Sequence, residues 1–115
     1  MIDLSRTMPT CHQLILCTCP DKDVAEKIAR LLVTEKLAAC VNILPGIQSI
    51  YRWREQIESA QEHLLLIKAN KDYYPAIETC IKSHHPYELP EIIAVPIDNG
   101  LPEYLHWIDS CHSHT

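Results

Sequence analysis

The chain has 115 residues, 47% of them apolar and 22% charged, enough to bury one core and too apolar to stay disordered. Its net charge of −5 provides no basic stripe to neutralise phosphates, which argues against nucleic acid as a partner and leaves small cations as the natural one. No apolar run approaches the length of a bilayer span, so a membrane is not expected as a partner either.

The first nine residues carry no apolar stretch of signal-peptide length, and the expectation is a cytoplasmic protein with flexible tails at 1–11 and 111–115 around a single domain at 12–110. Residues 12–19 form a short apolar run closed by Pro20, predicted as a buried first strand. Asp21 or Asp23 then caps a helix running to about Lys36. Its apolar positions Val24, Ile28, Leu31 and Leu32 recur at helical spacing, and Asp23 with Glu26 fits a capping box. From Leu37 to Leu44 the pattern is continuously apolar, Pro45-Gly46 permits a bend or bulge, and residues 47–53 continue as a polar and aromatic strand. A reversal near Arg54-Glu55-Gln56 sends residues 57–68 back as its partner, giving one long hairpin.

Lys71 to His85 is predicted as a second helix, with Pro75 in its first turn and Tyr74, Ile77 and Ile81 on one face. Residues 92–97 form a fourth strand, and Pro96, lacking a backbone donor, places it at a sheet edge or a bulge. Gly100 and Pro102 open a short last helix carrying Leu105 and Ile108. The order βαββαβ plus a helix is that of an α+β, ferredoxin-like sandwich with strand order 4-1-3-2. Its expected core includes Leu14, Leu16, Ile28, Leu31, Val41, Leu65, Ile67, Ile77 and Ile93.

Chemistry concentrates in residues 83–91, where His84, His85, Tyr87, Glu88 and Glu91 crowd around Pro86 and Pro90. Imidazoles are common metal ligands that titrate near neutrality, yet two histidines at a helix end also serve to cap it. In the 4-1-3-2 plan the start of strand 4 lies beside the end of strand 1, so this segment meets Cys17-Thr18-Cys19. Thiolate plus imidazole suits copper or zinc. Adjacent helical residues point about 100° apart, so His84 and His85 share a metal only where the chain has left the helix, which Pro86 permits. Cys17 and Cys19 lie on one strand face. The remaining cysteines, Cys11, Cys40, Cys80 and Cys111, fall in periodic segments or tails and not in a loop-rich framework, so reduced thiols are expected.

Six blocks in register carry a family resemblance: residues 17–21, 35–42, 44–53, 65–68, 83–91 and 104–108, most specifically Glu35-Lys36-Leu37-Ala38-Ala39-Cys40 and Ser83-His84-His85-Pro86-Tyr87. Over about residues 13–110 the chain resembles the CutA family of divalent-cation tolerance proteins. The resemblance implies a ferredoxin-like homotrimer of cation homeostasis, no enzymatic activity, and Cys17, His84 and His85 as copper ligands, with other divalent metals as further cargo. The chain departs from the family at Glu55, where a glycine is usual, and at Cys19, where a small or apolar residue is more common.

Tyr51, Arg52 and Trp53 on the hairpin, with Tyr87 and Glu88, form a second constellation. Ferredoxin-like trimers also resemble the PII regulators, so the alternative function is a signalling module holding a small effector between subunits, or else these aromatics are subunit packing. No glycine-rich phosphate loop singles out a nucleotide, and no oxyanion-hole motif points to an enzyme.

Overall fold

The computed structural model describes residues 10–113. In chain order it contains β1 (His12–Cys19), α1 (Lys22–Thr34), β2 (Cys40–Trp53), β3 (Gln56–Asn70), a single 3-10 turn at Lys71–Tyr73 leading into α2 (Tyr74–His84), β4 (Ile92–Pro96) and α3 (Pro102–Cys111). The four strands form one antiparallel sheet in the order β2-β3-β1-β4, the expected 4-1-3-2 arrangement with β4 at an edge.

Helix α1 begins two residues earlier than the capping-box reading. Asp21, with extended backbone, is the N-cap, and its Oδ1 accepts the Val24 N–H at 2.9 Å. Glu26 instead reaches toward Lys22, one turn back, at 3.8 Å. At the other end Lys36 takes φ 60°, and the N–H groups of Lys36 and Leu37 donate to the carbonyls of Val33 and Leu32. That double closure ends the helix and carries Leu37–Ala39 across to the sheet before β2 starts at Cys40, so these three residues are not strand despite their apolar run.

The hairpin spans 14 residues in β2 and 15 in β3. Between Leu44 and Ile47 the register shifts by one residue, with Gly46 at φ 73°, so the bend expected at Pro45-Gly46 is a bulge. Trp53 pairs with Gln56, leaving Arg54 and Glu55 as a two-residue turn with φ 50° and 67°. Positive φ at both positions is the type I′ pattern, formed here without glycine.

Helices α1 and α2 cover one face of the sheet. Ile15, Cys17 and Cys19 from β1 point into that layer with Leu65 and Ile67 of β3, Ile28 and Leu32 of α1, and Ile77 and Ile81 of α2, all fully buried. Leu14 and Leu16, expected in the core, lie on the opposite face and are half-buried, as is Leu31, while Ile93 is half exposed. An unbroken apolar strand does not reveal by periodicity which alternate set faces the helices. The second face remains apolar: Leu16 pairs with Leu66 on one side and Ile93 on the other, and Leu14 pairs with Val95.

Helix α3 closes one end of the molecule. Asp109 accepts from Asn70 Nδ2 at 3.1 Å and stands 3.0 Å from His12 Nε2. Burial alone would push the Asp109 carboxyl up, but these two hydrogen bonds outweigh it and hold it below its ordinary value. The folded part extends past residue 110. Cys111 ends α3 and the buried His112 follows, stacked on Tyr73 at 3.8 Å. His112 Nε2 accepts the Asn70 N–H at 3.0 Å, which leaves Nδ1–H to donate to the Lys36 carbonyl at 2.9 Å.

Candidate metal centre

Because β4 pairs with β1 only as far as Cys17 opposite Ile92, the last residues of β1 meet the 85–91 segment instead of a strand. Cys17 and Cys19, two apart, point together toward the helices, and both are fully buried. His85 approaches from the end of α2. Its N–H still closes the helix on the Ile81 carbonyl at 2.9 Å, but its backbone is already extended, φ −91° and ψ 134°, as the following Pro86 requires.

The ligand atoms of Cys17, Cys19 and His85 all lie within 4.8 Å of one another, the single such group of three found among the described residues. His84 is not among them. It remains the last residue of α2, exposed, with Nδ1 2.9 Å from the Cys80 carbonyl one turn back. Of the three positions carried by the family resemblance, the structure therefore unites Cys17 with His85 and turns His84 away, because the chain leaves the helix between the two histidines. Cys19 takes the third place.

The imidazole of His85 is fixed on both sides. Tyr87 N–H donates to Nδ1 at 3.1 Å, so Nε2 carries the hydrogen and donates to the Thr18 carbonyl at 2.7 Å. The Cys17 thiol is pushed far above its ordinary value, first by its hydrogen bond to Cys19, then by burial and by the charges of Cys19, Glu91 and Glu62. Accepting that hydrogen bond lowers Cys19, against burial and the charges of Glu62 and Asp21. The pair thus gives up its first proton from Cys19 and retains the second on Cys17.

These groups fit a soft metal. Bonds of about 2.3 Å to sulfur and 2.0 Å to nitrogen require donor atoms roughly 3–4 Å apart, a small contraction from the observed spread. Two sulfurs and one imidazole are a donor set for copper or zinc and not for magnesium or calcium. Occupancy requires Nε2 to release Thr18 and the thiols to release their protons.

Arg52, Trp53, Tyr87 and Glu88 line a common cavity of about 550 Å³ with Thr18, Tyr51 and Glu62; Thr18, Tyr51, Trp53 and Glu62 share the sheet face away from the helices, whereas Arg52 falls in the alternate set of β2. Glu62, not singled out in the sequence, is 5% exposed and accepts the Tyr87 hydroxyl at 2.8 Å. The available signal was a charge on the strand face that two residues later carries Leu64.

The model of the CutA1 divalent ion tolerance family matches residues 13–111. The chain belongs to this family. It is similar to the divalent-cation tolerance protein CutA of Thermus thermophilus, 48% identical over 97 residues that cover 84% of this chain and 94% of that protein. Mouse protein CutA is 48% identical over 91 residues, 79% of this chain, which spans about half the length of the mouse protein. The crystal structure of CutA from Xylella fastidiosa superposes with a TM-score of 0.88 at 51% identity, covering 90% of this chain and all of that one. The βαββαβ-plus-helix architecture of this chain is thus a fold that CutA1 family members share.

Proposed function

We propose that this chain is a non-enzymatic, homotrimeric protein of divalent-cation tolerance in the cytoplasm that binds copper through Cys17, Cys19 and His85. The observation that carries the reading is the convergence of two buried thiols and one buried imidazole within 4.8 Å. The names of its relatives supply the wider role in cation tolerance. Thiolates favour cuprous copper, and six cysteines without a disulfide suit a reducing compartment. Assembly is supported by the apolar second face of the sheet, with Ile93, Val95, Tyr104 and Trp107 each at least 40% exposed, and by the long hairpin edge of β2.

Chelator-competition titration with cuprous copper tests the site. The chain should bind one equivalent per protomer, and the Cys17→Ala/Cys19→Ala double variant should lose that binding while keeping its far-UV dichroism. Copper binding that survives the double variant but disappears when residues 113–115 and 1–9 are removed would assign the metal to the ends of the chain and overturn the reading. Light scattering tests the assembly separately: a trimer is expected, and a monodisperse monomer at micromolar concentration rejects it.

A further inference from the structure

Glu62 is the buried carboxylate of the cavity between the hairpin and the 85–91 segment, and among the described residues no cation lies within ion-pair distance of it. Its hydrogen-bond donor is the neutral Tyr87 hydroxyl. A carboxylate removed from water without a cationic partner is costly unless a ligand supplies the charge.

The rest of the wall points to the same kind of ligand. Glu88 is already matched by Arg54, at 3.0 Å, which leaves Glu62, Glu91 and Arg52 as the other charges on the lining and one negative charge in excess. Tyr51, Trp53 and Tyr87 supply aromatic surface around these carboxylates. The Arg54 guanidinium, 5.4 Å from the Trp53 ring centre, is an internal example of a cation held by this wall. A bare metal ion suits it less: among the described residues the only three-ligand convergence is the thiol and imidazole group, so the cavity carboxylates do not form a three-ligand set. A volume of about 550 Å³ suits a small organic molecule.

We infer that this cavity binds a small organic monocation of the alkylammonium class, its charge toward Glu62 and its alkyl groups against Tyr51, Trp53 and Tyr87. The inference does not rest on copper binding: the thiol donors point to the helix face of the sheet and Glu62 to the other, although Tyr87, whose hydroxyl holds Glu62, also holds His85 through its N–H.

Calorimetric titration of the full chain, in the assembly it forms in solution, uses choline as the probe and 3,3-dimethylbutan-1-ol as its neutral isostere. Choline should bind saturably, the alcohol at least about ten-fold more weakly, as expected for loss of a partly desolvated charge and its cation–π contact. Glu62→Gln keeps an acceptor for Tyr87 while removing the charge, and should weaken choline by at least about ten-fold with unchanged dichroism. Glu91→Gln, on the rim, should weaken it less. Absence of saturable choline binding, equal binding of the alcohol, or full choline affinity in Glu62→Gln each overturns the proposal. Retention of choline binding in the Cys17→Ala/Cys19→Ala variant is expected, so a failed copper site and a failed cation cavity give different results.

Discussion

His85 Nε2 lies 2.7 Å from the carbonyl oxygen of Thr18, 67 positions earlier in the chain. This one bond ties the exit of α2 to the unpaired end of β1, and Tyr87 N–H locks the ring from the other side. Removing the imidazole leaves the buried Thr18 carbonyl with only the weak Cys17 thiol bond at 3.8 Å, and the Tyr87 amide without its acceptor. His85→Ala should therefore cost about 2–3 kcal/mol, the penalty for unsatisfied buried groups, whereas exposed His84→Ala should stay within about 0.5 kcal/mol. Urea denaturation of the two variants at one protomer concentration measures the contrast. Equal losses would mean that the two histidines are equivalent, contrary to their placement.

Copper affinity should separate the same residues in a different pattern. Cys19→Ala and His85→Ala should each lower it at least about ten-fold, the scale already reached by losing outer-sphere partners of a metal, while His84→Ala should leave it within about two-fold. Because Cys17 holds its proton far above neutrality in the metal-free chain, copper must displace at least that proton. The logarithm of the binding constant should then rise by about one for each pH unit between pH 6 and 8. A flat profile would exclude the Cys17 thiolate as a ligand.

The element order, the strand order and the edge position of β4 were legible because each rests on local punctuation: Pro20, the paired Pro45-Gly46, and Pro96. The meeting of Cys17 with His85 followed from topology alone. What was not legible depends on orientation about an axis. The run from Leu14 to Cys17 is apolar throughout, so only the packed sheet reveals that Ile15, Cys17 and Cys19 face the helices and Leu14 and Leu16 do not. Likewise, the residue at which α2 ends decides which histidine turns inward, and helix ends are the least certain part of a sequence reading. Glu62 was invisible as a site residue because its burial comes from Tyr87, 25 residues away.

Stability should fall as the solution becomes alkaline. Cys17 has a folded pKa raised above its unfolded value, so its contribution is complete below the unfolded pKa near 8.5 and is lost progressively above it. In that range the unfolded chain gives up a proton that the folded chain keeps, and rising pH drives unfolding by about 1.4 kcal/mol per unit for one such group. Cys19, lowered in the folded chain, acts in the opposite direction below the unfolded pKa, where its contribution grows with pH, and is constant above it. Above about pH 10 Tyr74, pushed to about 12 chiefly by its hydrogen bond to Glu78, acts in the same direction. Urea midpoints at pH 9, 9.5 and 10 should decline in order, and Cys17→Ala should flatten the first part of the decline. A rise in stability across this interval would contradict a protonated Cys17.

The hairpin tip offers the clearest stabilising change. Arg54 and Glu55 both adopt positive φ, which costs an L-residue roughly 1–2 kcal/mol relative to glycine, whose own flexibility in the unfolded chain returns part of that gain. Glu55 has no ion pair or side-chain hydrogen bond among those found in the described residues, whereas Arg54 pairs with Glu88 and lies over Trp53. Glu55→Gly should accordingly stabilise the protein by about 1 kcal/mol, and Arg54→Gly should gain less because it also removes those two contacts. Gly46 provides the reciprocal test. A Cβ there would meet nothing within 4 Å, so Gly46→Ala should cost about 1 kcal/mol from its φ of 73° alone. Thermal and urea unfolding of the three variants at a fixed protomer concentration decide the matter. Destabilisation by Glu55→Gly would show that the tip is not held in the left-handed conformation on which the argument rests.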